Sequence, residues 1–280
     1  MLGLANRMSL SLGSSATAIL AGETAFVSTW NTENLGGTGS ATKVILLPMT
    51  AGVEVDWGDG TVNNLNTHTY AAGGIKTITI EDTITGFRFV NGGDKLKILT
   101  ISSSGNLTID NDSMFRGCSN MTMFKDGPGM TVTGTSMFRM FLGCSLLTTL
   151  NLSNIDVSSV TSFSAMFDSC SSLAVLDLSN WFTSSATNMS FMFQSTDLTA
   201  PAGVDDFDVT SVTSMASMFA GVTLDTSFYS SLLINYEAQS VQNNVTLTGG
   251  NSKYSAGAAA TARQALIDDH TWTITDGGAA

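Results

Sequence analysis

The dipeptide Met-Phe recurs five times in this chain at one fixed interval. Met114-Phe115, Met140-Phe141, Met166-Phe167, Met192-Phe193 and Met218-Phe219 follow one another every 26 residues. A period of this size calls for stacked units, because a segment so short cannot bury its apolar face alone and must cover it with its neighbours. Further columns keep the same step. They are Cys118, Cys144 and Cys170; Met137, Phe163, Met189 and Met215; Leu150 and Leu176; Leu152, Leu178 and Val204; Ile155, Trp181 and Phe207; and Val160, Ala186 and Val212. Each rung must fill the space above the previous one, so matched apolar columns are what a stacked core requires.

Two kinds of local structure are expected in a rung. Leu147-Thr-Thr-Leu150-Asn-Leu152-Ser-Asn154 and Leu173-Ala-Val-Leu176-Asp-Leu178-Ser-Asn180 read as L-x-x-L-x-L-x-N, whose L-x-L core alternates as a short strand does. Phe163, Met166, Phe167 and Cys170 lie three and four apart, the spacing of a helical turn or short helix. Before the repeats, Val53–Thr61 alternates and breaks at Gly58-Asp59-Gly60, Ile75–Ile80 alternates again, and Val44–Leu47 is a short apolar run before Pro48. These segments suggest a small β-sandwich. After the repeats, the Ala-rich segment 256–267 suggests a helix, and Thr271–Thr275 a strand.

The L-x-x-L-x-L-x-N text lies close to the leucine-rich-repeat pattern. With MFDSCSSLAVLDLSNWFTSSATNMSFMF, from Met166 to Phe193, the rungs resemble the BspA-like leucine-rich repeats of microbial surface proteins, over about Met114 to Val222. Gly127-Pro128-Gly129 interrupts the first rung, and Pro201 with Asp205-Asp206 alters the fourth, as expected where a stack ends. Trp57-Gly58-Asp59-Gly60 and His68-Thr69-Tyr70 resemble the W-G-D-G turn and H-x-Y of PKD-like domains, which often precede BspA-like repeats. The tail, from Tyr254 through Arg263 and Leu266 to Trp272–Gly278, resembles the unit that closes many BspA-like chains.

Leu2, Leu4, Met8, Leu10 and Leu12 all fall on even positions, which describes an extended strand with one apolar face. Arg7 followed by Met8–Gly22 has the outline of a secretory signal, but Ser9, Ser11, Ser14, Ser15 and Thr17 interrupt its apolar stretch. The reading adopted is a retained assembly arm that pairs with another chain. Met-Leu-Gly-Leu also resembles the opening of structural proteins encoded by tailed, especially marine, phages, whose genomes carry BspA-like repeat proteins too.

Only 12% of residues are charged, and 11 basic against 23 acidic residues leave a net charge of −12. That balance opposes nucleic-acid binding, which needs clustered Lys and Arg. No apolar run approaches the roughly 18 residues of a membrane span. The two histidines, His68 and His270, and three cysteines spaced singly do not form a zinc pattern. The cysteines read as buried free thiols. Asp56 and Asp59 suit a tight turn better than a cation. Asp205, Asp206 and Asp208 are the candidates for calcium. Gly36-Gly37-Thr-Gly39 lacks the Lys of a phosphate loop.

The expected fold is therefore mainly β with short helices. It comprises an arm over 1–25, a PKD-like β-sandwich over 26–91, a leucine-rich-repeat-like solenoid over 92–250 and an α/β cap over 251–280. The expected function is a non-enzymatic phage virion structural protein, a tail- or capsid-attached fibre or decoration mediating host-surface attachment without a cofactor. The alternative is a secreted bacterial cell-surface adhesin. Its partners would be other virion proteins, met through the arm, and a host protein or glycan, met in many copies through Thr149, Asn151, Ser153, Val175, Asp177 and Ser179.

Overall fold

The computed structural model describes residues 24–35, 39–110 and 112–280. The arm residues Leu2, Leu4, Met8, Leu10 and Leu12 lie outside the described residues.

β1 (Phe26–Asn31) is the hub of the N-terminal half. Its alternate residues Phe26, Ser28 and Trp30 are buried, and Trp30 Nε1 donates to Ser28 Oγ at 2.9 Å, so no buried polar atom of that pair is left unsatisfied. β1 pairs antiparallel with β6 (Ile75–Ile80) on one side and with β7 (Ile98–Ser104) on the other. From β6 the sheet continues to β3 (Val55–Asp56) and β4 (Val62–Asn63). From β7 it continues, now parallel, to β9 (Met123–Lys125) and β11 (Thr149–Asn151). The result is one seven-stranded mixed sheet in the order β11-β9-β7-β1-β6-β3-β4. A separate hairpin-like pair, β2 (Val44–Leu46) with β5 (Thr67–Thr69), runs antiparallel.

This sheet corrects the expected architecture of a small sandwich followed by a leucine-rich-repeat-like solenoid. Strands from the N-terminal segment and strands from the first rungs lie in the same open sheet, with β1 between them. The parallel part stops at β11. One rung on, residues 175–177 form no ladder with β11; their single bridge, Asp177 to Ala202, runs to the following rung. That rung carries Pro201, which has no N–H to extend the bridge into a ladder. The curled, strand-per-rung sheet of a leucine-rich repeat is therefore not formed.

The 26-residue units are instead joined through their Met-Phe segments. Phe115 N–H donates to Met140 O, Phe141 to Met166 O, Phe167 to Met192 O and Phe193 to Met218 O, at 2.9 to 3.0 Å. Phe rings follow in register: Phe141 lies 5.5 Å from Phe115, 167 lies 5.9 Å from 141, 193 lies 5.7 Å from 167, and 219 lies 5.4 Å from 193. Interplanar angles stay between 8° and 14°. A second ladder runs along threonine: Thr161, Thr187 and Thr213 each donate both backbone N–H and Oγ1 to the carbonyl of the threonine one rung before.

The helical turn expected at these segments is absent. Ser113, Arg139, Ala165, Phe191 and Ser217, each immediately before a Met, have φ between 54° and 62°. A left-handed residue at that point breaks any helix and turns alternate N–H groups toward the next rung. The remaining N–H groups close short turns, as in Met140 to Met137 O and Cys144 to Phe141 O. A second left-handed column runs through Gly117, Gly143, Ser169, Ser195 and Gly221.

Two α-helices follow the rungs. α1 (Thr226–Glu237) buries Tyr229, Leu232, Leu233 and Tyr236, one face at helical spacing. α2 (Ala258–Asp268) buries Ala259, Ala262 and Leu266. Between and after them, β12 (Thr246–Thr248) and β13 (Thr273–Thr275) pair in parallel. β12 receives the rung ladder, since Met215 N–H donates to Thr246 O and Phe219 N–H to Thr248 O, both at 3.0 Å. Arg263 Nε to Asp276 Oδ2, at 2.8 Å, and Tyr229 OH to the same oxygen, at 3.0 Å, tie the helices to the end of the chain.

Candidate ligand-binding cleft

The expected contact residues fall on the exposed side of β11 and of the loop that follows it, and on the matching segment one rung on, which forms no strand. Thr149, Asn151, Ser153, Val175, Asp177 and Ser179 are all exposed, alternating with buried Leu152, Leu176 and Leu178. Asn151 and Asp177 are equivalent, one rung apart, and each closes an Asx turn. Asn151 Oδ1 accepts from Ser153 N–H, and Asp177 Oδ1 from Ser179 N–H, both at 3.0 Å. Asp177 also accepts from Ser179 Oγ at 2.6 Å, and that hydroxyl, with the N–H, holds the Asp177 carboxyl below the usual carboxylate range. Val175 is the apolar exception on this face, at 77% exposure.

Beside Asn151 the face dips into a cleft of about 420 Å³, lined by Ser102, Ser103, Lys125, Asp126, Gly127, Pro128, Asn151 and Asn154. Its geometry comes from three sources. β7 supplies Ser102 and Ser103, whose hydroxyls donate to the carbonyls of Val27 and Ala25. β9 ends in Lys125, and the next residue, Asp126, accepts from Asn154 N–H at 2.6 Å and Asn154 Nδ2 at 3.3 Å. Gly127 forms a wall against the loop before β8 (Thr108–Ile109). Its N–H donates to Ser104 Oγ at 2.7 Å, and a Cβ there would lie 2.6 Å from Gly105 N, so only glycine fits.

Sequence reasoning reached Asn151 but missed Lys125, Asp126, Asn154 and the two serines. The available signal was Gly127-Pro128-Gly129, which reads as a degenerate first rung and is in fact the cleft wall. None of the expected face residues lines a larger, mostly apolar cleft of about 580 Å³ beside Leu46, Pro48, Met49 and Phe89.

The other candidates have local roles. Among the described residues no group of three or more His, Cys, Asp or Glu is arranged to hold a metal. Of the calcium candidates, Asp206 accepts from Asn235 Nδ2, Asp208 from Thr210 N–H and Oγ1, and Asp205 is pushed up by burial. They serve separate contacts rather than converging. His68 stacks on Trp57 with centroids 5.1 Å apart, meets Tyr70 edge-on, and bonds Asp59 Oδ2 through Nε2 at 2.8 Å. The His68 hydrogen bond, chiefly, pulls the Asp59 pKa down to about 2. Asp59 Oδ1 also accepts from Thr61 N–H, and Tyr70 OH donates to Trp57 O, so this group knots the turn before β4. Cys118, Cys144 and Cys170 are buried free thiols, and burial drives their pKa values up.

The fold and cleft define a protein of in-register 26-residue units joined to an open mixed sheet. Residues 109–229 match the model of a family described as Mycoplasma protein of unknown function, DUF285. That span covers the Met-Phe units and is less than half of the chain. No curated protein and no solved structure matches the chain.

Proposed function

We propose that this protein is a non-enzymatic attachment protein, displayed in many copies on a phage particle as a tail- or capsid-attached fibre or decoration, and contacting the host surface. The observation that carries the reading is the exposed face itself. Thr149, Asn151 and Ser153 on one rung and Asp177 and Ser179 on the next are exposed polar side chains, and each row is bonded through its backbone to another rung, Thr149 N–H to Thr122 O and Leu178 N–H to Ala202 O. A rigid polar surface loses little conformational freedom when it binds.

Size argues for many copies. The face is two short rows, Thr149–Ser153 and Val175–Ser179, each at most about 17 Å long, which covers far less than the roughly 800 Å² per partner of a standard protein interface. The face also lacks the Trp, Tyr and Arg anchors that dominate binding energy. One copy binds weakly, and useful attachment comes from multivalency.

A second reading is a secreted bacterial cell-surface adhesin; the family matched over residues 109–229 is described from a bacterium, with its function unknown. An antibody raised against the chain decides between the two. Labelling of purified phage particles supports the first, and labelling of uninfected cells the second. For the binding face, Thr149→Lys, Ser153→Lys and Val175→Lys together should leave the fold intact, since exposed changes usually cost under about 0.5 kcal/mol each. They should reduce attachment of multimeric protein to host cells. Undiminished attachment by this variant removes the face from the mechanism.

A further inference from the structure

We propose that the cleft beside Asn151 is a saccharide site that recognises a vicinal pair of hydroxyl groups through Lys125, Asp126, Asn151 and Asn154. The inference rests on the attachment reading and names the ligand class for its binding face.

A sugar hydroxyl both donates and accepts, so adjacent hydroxyls need interleaved acceptors and donors. The cleft supplies both. The Lys125 ammonium makes no hydrogen bond or ion pair among the described residues and is exposed. Asn151 commits its Oδ1 to Ser153 N–H, which leaves its NH2 as a donor without a partner among the described residues. Asn154 commits its Nδ2 and its N–H to Asp126, which leaves its Oδ1 as an acceptor. Asp126 retains acceptor capacity beyond those two bonds, since an ionised carboxylate offers about four lone-pair positions. Asn151, Asn154 and Asp126 are thus held by bonds of their own before any ligand arrives, and Lys125 adds an unpaired donor to the lining.

The surroundings keep this arrangement fixed. Gly127 is clamped on Gly105, Ser103 is tied to Ala25, and Pro128 restricts the rim. The Asx turn recurs one rung on at Asp177, but no Gly-Pro-Gly wall accompanies it there. The cleft is therefore a feature of the first rung, not of the repeat.

Other ligand classes fit less well. An anion would meet one cation beside Asp126 in a chain of net charge −12. An apolar ligand would leave Ser, Asn, Lys and Asp groups desolvated. A neutral saccharide meets neither objection.

The test uses the full chain, with saturation-transfer NMR for methyl α-mannopyranoside, methyl β-galactopyranoside and sodium glucuronate, and titration calorimetry for inorganic phosphate. At least one methyl glycoside should bind with a Kd on the order of millimolar, as a shallow site for one sugar ring allows. Lys125→Met and Asn151→Ala should each weaken that binding about ten-fold, the scale of one lost hydrogen bond to a charged or oriented group. Asp156→Ala, at an exposed Asx turn outside both the face and the cleft, should leave it unchanged. Three results overturn the proposal: neither glycoside binds, only glucuronate or phosphate binds, or binding survives both Lys125→Met and Asn151→Ala. Host-cell attachment is measured on the same proteins. Glycoside binding without attachment keeps the site and removes the attachment function. Attachment without glycoside binding keeps the function and removes the site.

Discussion

The thiol of Cys170 lies 3.2 Å from the carbonyl oxygen of Phe141, one rung away, and donates to it. Cys144 repeats the contact to Phe115 O at 3.1 Å. That same Phe141 carbonyl also accepts the backbone N–H of Cys144. The cysteine column is thus a set of small buried side chains that cross-brace successive units. Thiolate is the reactive form, and burial holds these groups as thiols. Labelling of native protein by a disulfide reagent should therefore be slow and should track global unfolding across a denaturant series. Fast labelling in the absence of denaturant contradicts the buried column.

Phe167 lies between Phe141 and Phe193 with no exposed surface. Phe167→Ala should cost about 3–5 kcal/mol, the range for a truncated buried aromatic. Phe182 is 74% exposed, and Phe182→Ser should change stability by less than about 0.5 kcal/mol. Guanidinium unfolding of the two variants provides the comparison. Similar losses would mean that the Phe ladder does not carry the stack.

The second left-handed column mixes glycine with serine, which permits a matched pair of tests. Ser169 has φ 61°, and Gly143, its equivalent one rung earlier, has φ 76°. A Cβ on Gly143 meets nothing closer than 3.8 Å, so its substitution is a conformational effect rather than a clash. Gly143→Ala should destabilise, and Ser169→Gly should stabilise, each by about 1 kcal/mol. Opposite signs in thermal melts are the diagnostic outcome, and equal signs would refute a shared backbone conformation.

Acid should loosen the turn at Gly58–Gly60. The folded pKa of Asp59, about 2, lies below the ordinary value of 3.8. Its contribution is therefore complete above pH 3.8 and is lost as pH falls toward 2. Asp59→Asn removes the carboxylate at every pH. The parent should be more stable than this variant at pH 5, and the difference should shrink toward pH 2 and vanish below it. A difference independent of pH over that window would show that the His68 bond is not its source.

Sequence periodicity was enough to locate the units of this protein. Met-Phe at a constant step identifies the buried columns from Phe115 to Phe219, because a stack admits only side chains that repeat in kind. The alternation at Leu150-Asn151-Leu152 likewise separates exposed from buried residues. α2 was legible in the Ala-rich segment 256–267, but α1 was not anticipated: Tyr229, Leu232, Leu233 and Tyr236 carry a helical period, yet no turn residue marks its start strongly and its side chains suit a strand equally well. What happens between the columns was not legible. A left-handed residue before each Met has no sequence mark when it is Ser, Arg, Ala or Phe, and its conformation is imposed by hydrogen bonds to the next unit. β1 illustrates the same limit: its alternation fits a sandwich strand or a sheet centre, and only pairing with both β6 and β7 selects the second. Hydrogen-bond partners are set by which backbones come within about 5 Å, a property of the assembled chain. The cleft is a product of that assembly. Lys125, Asn151 and Ser102 sit on three different strands, and their meeting depends on register that local sequence does not encode.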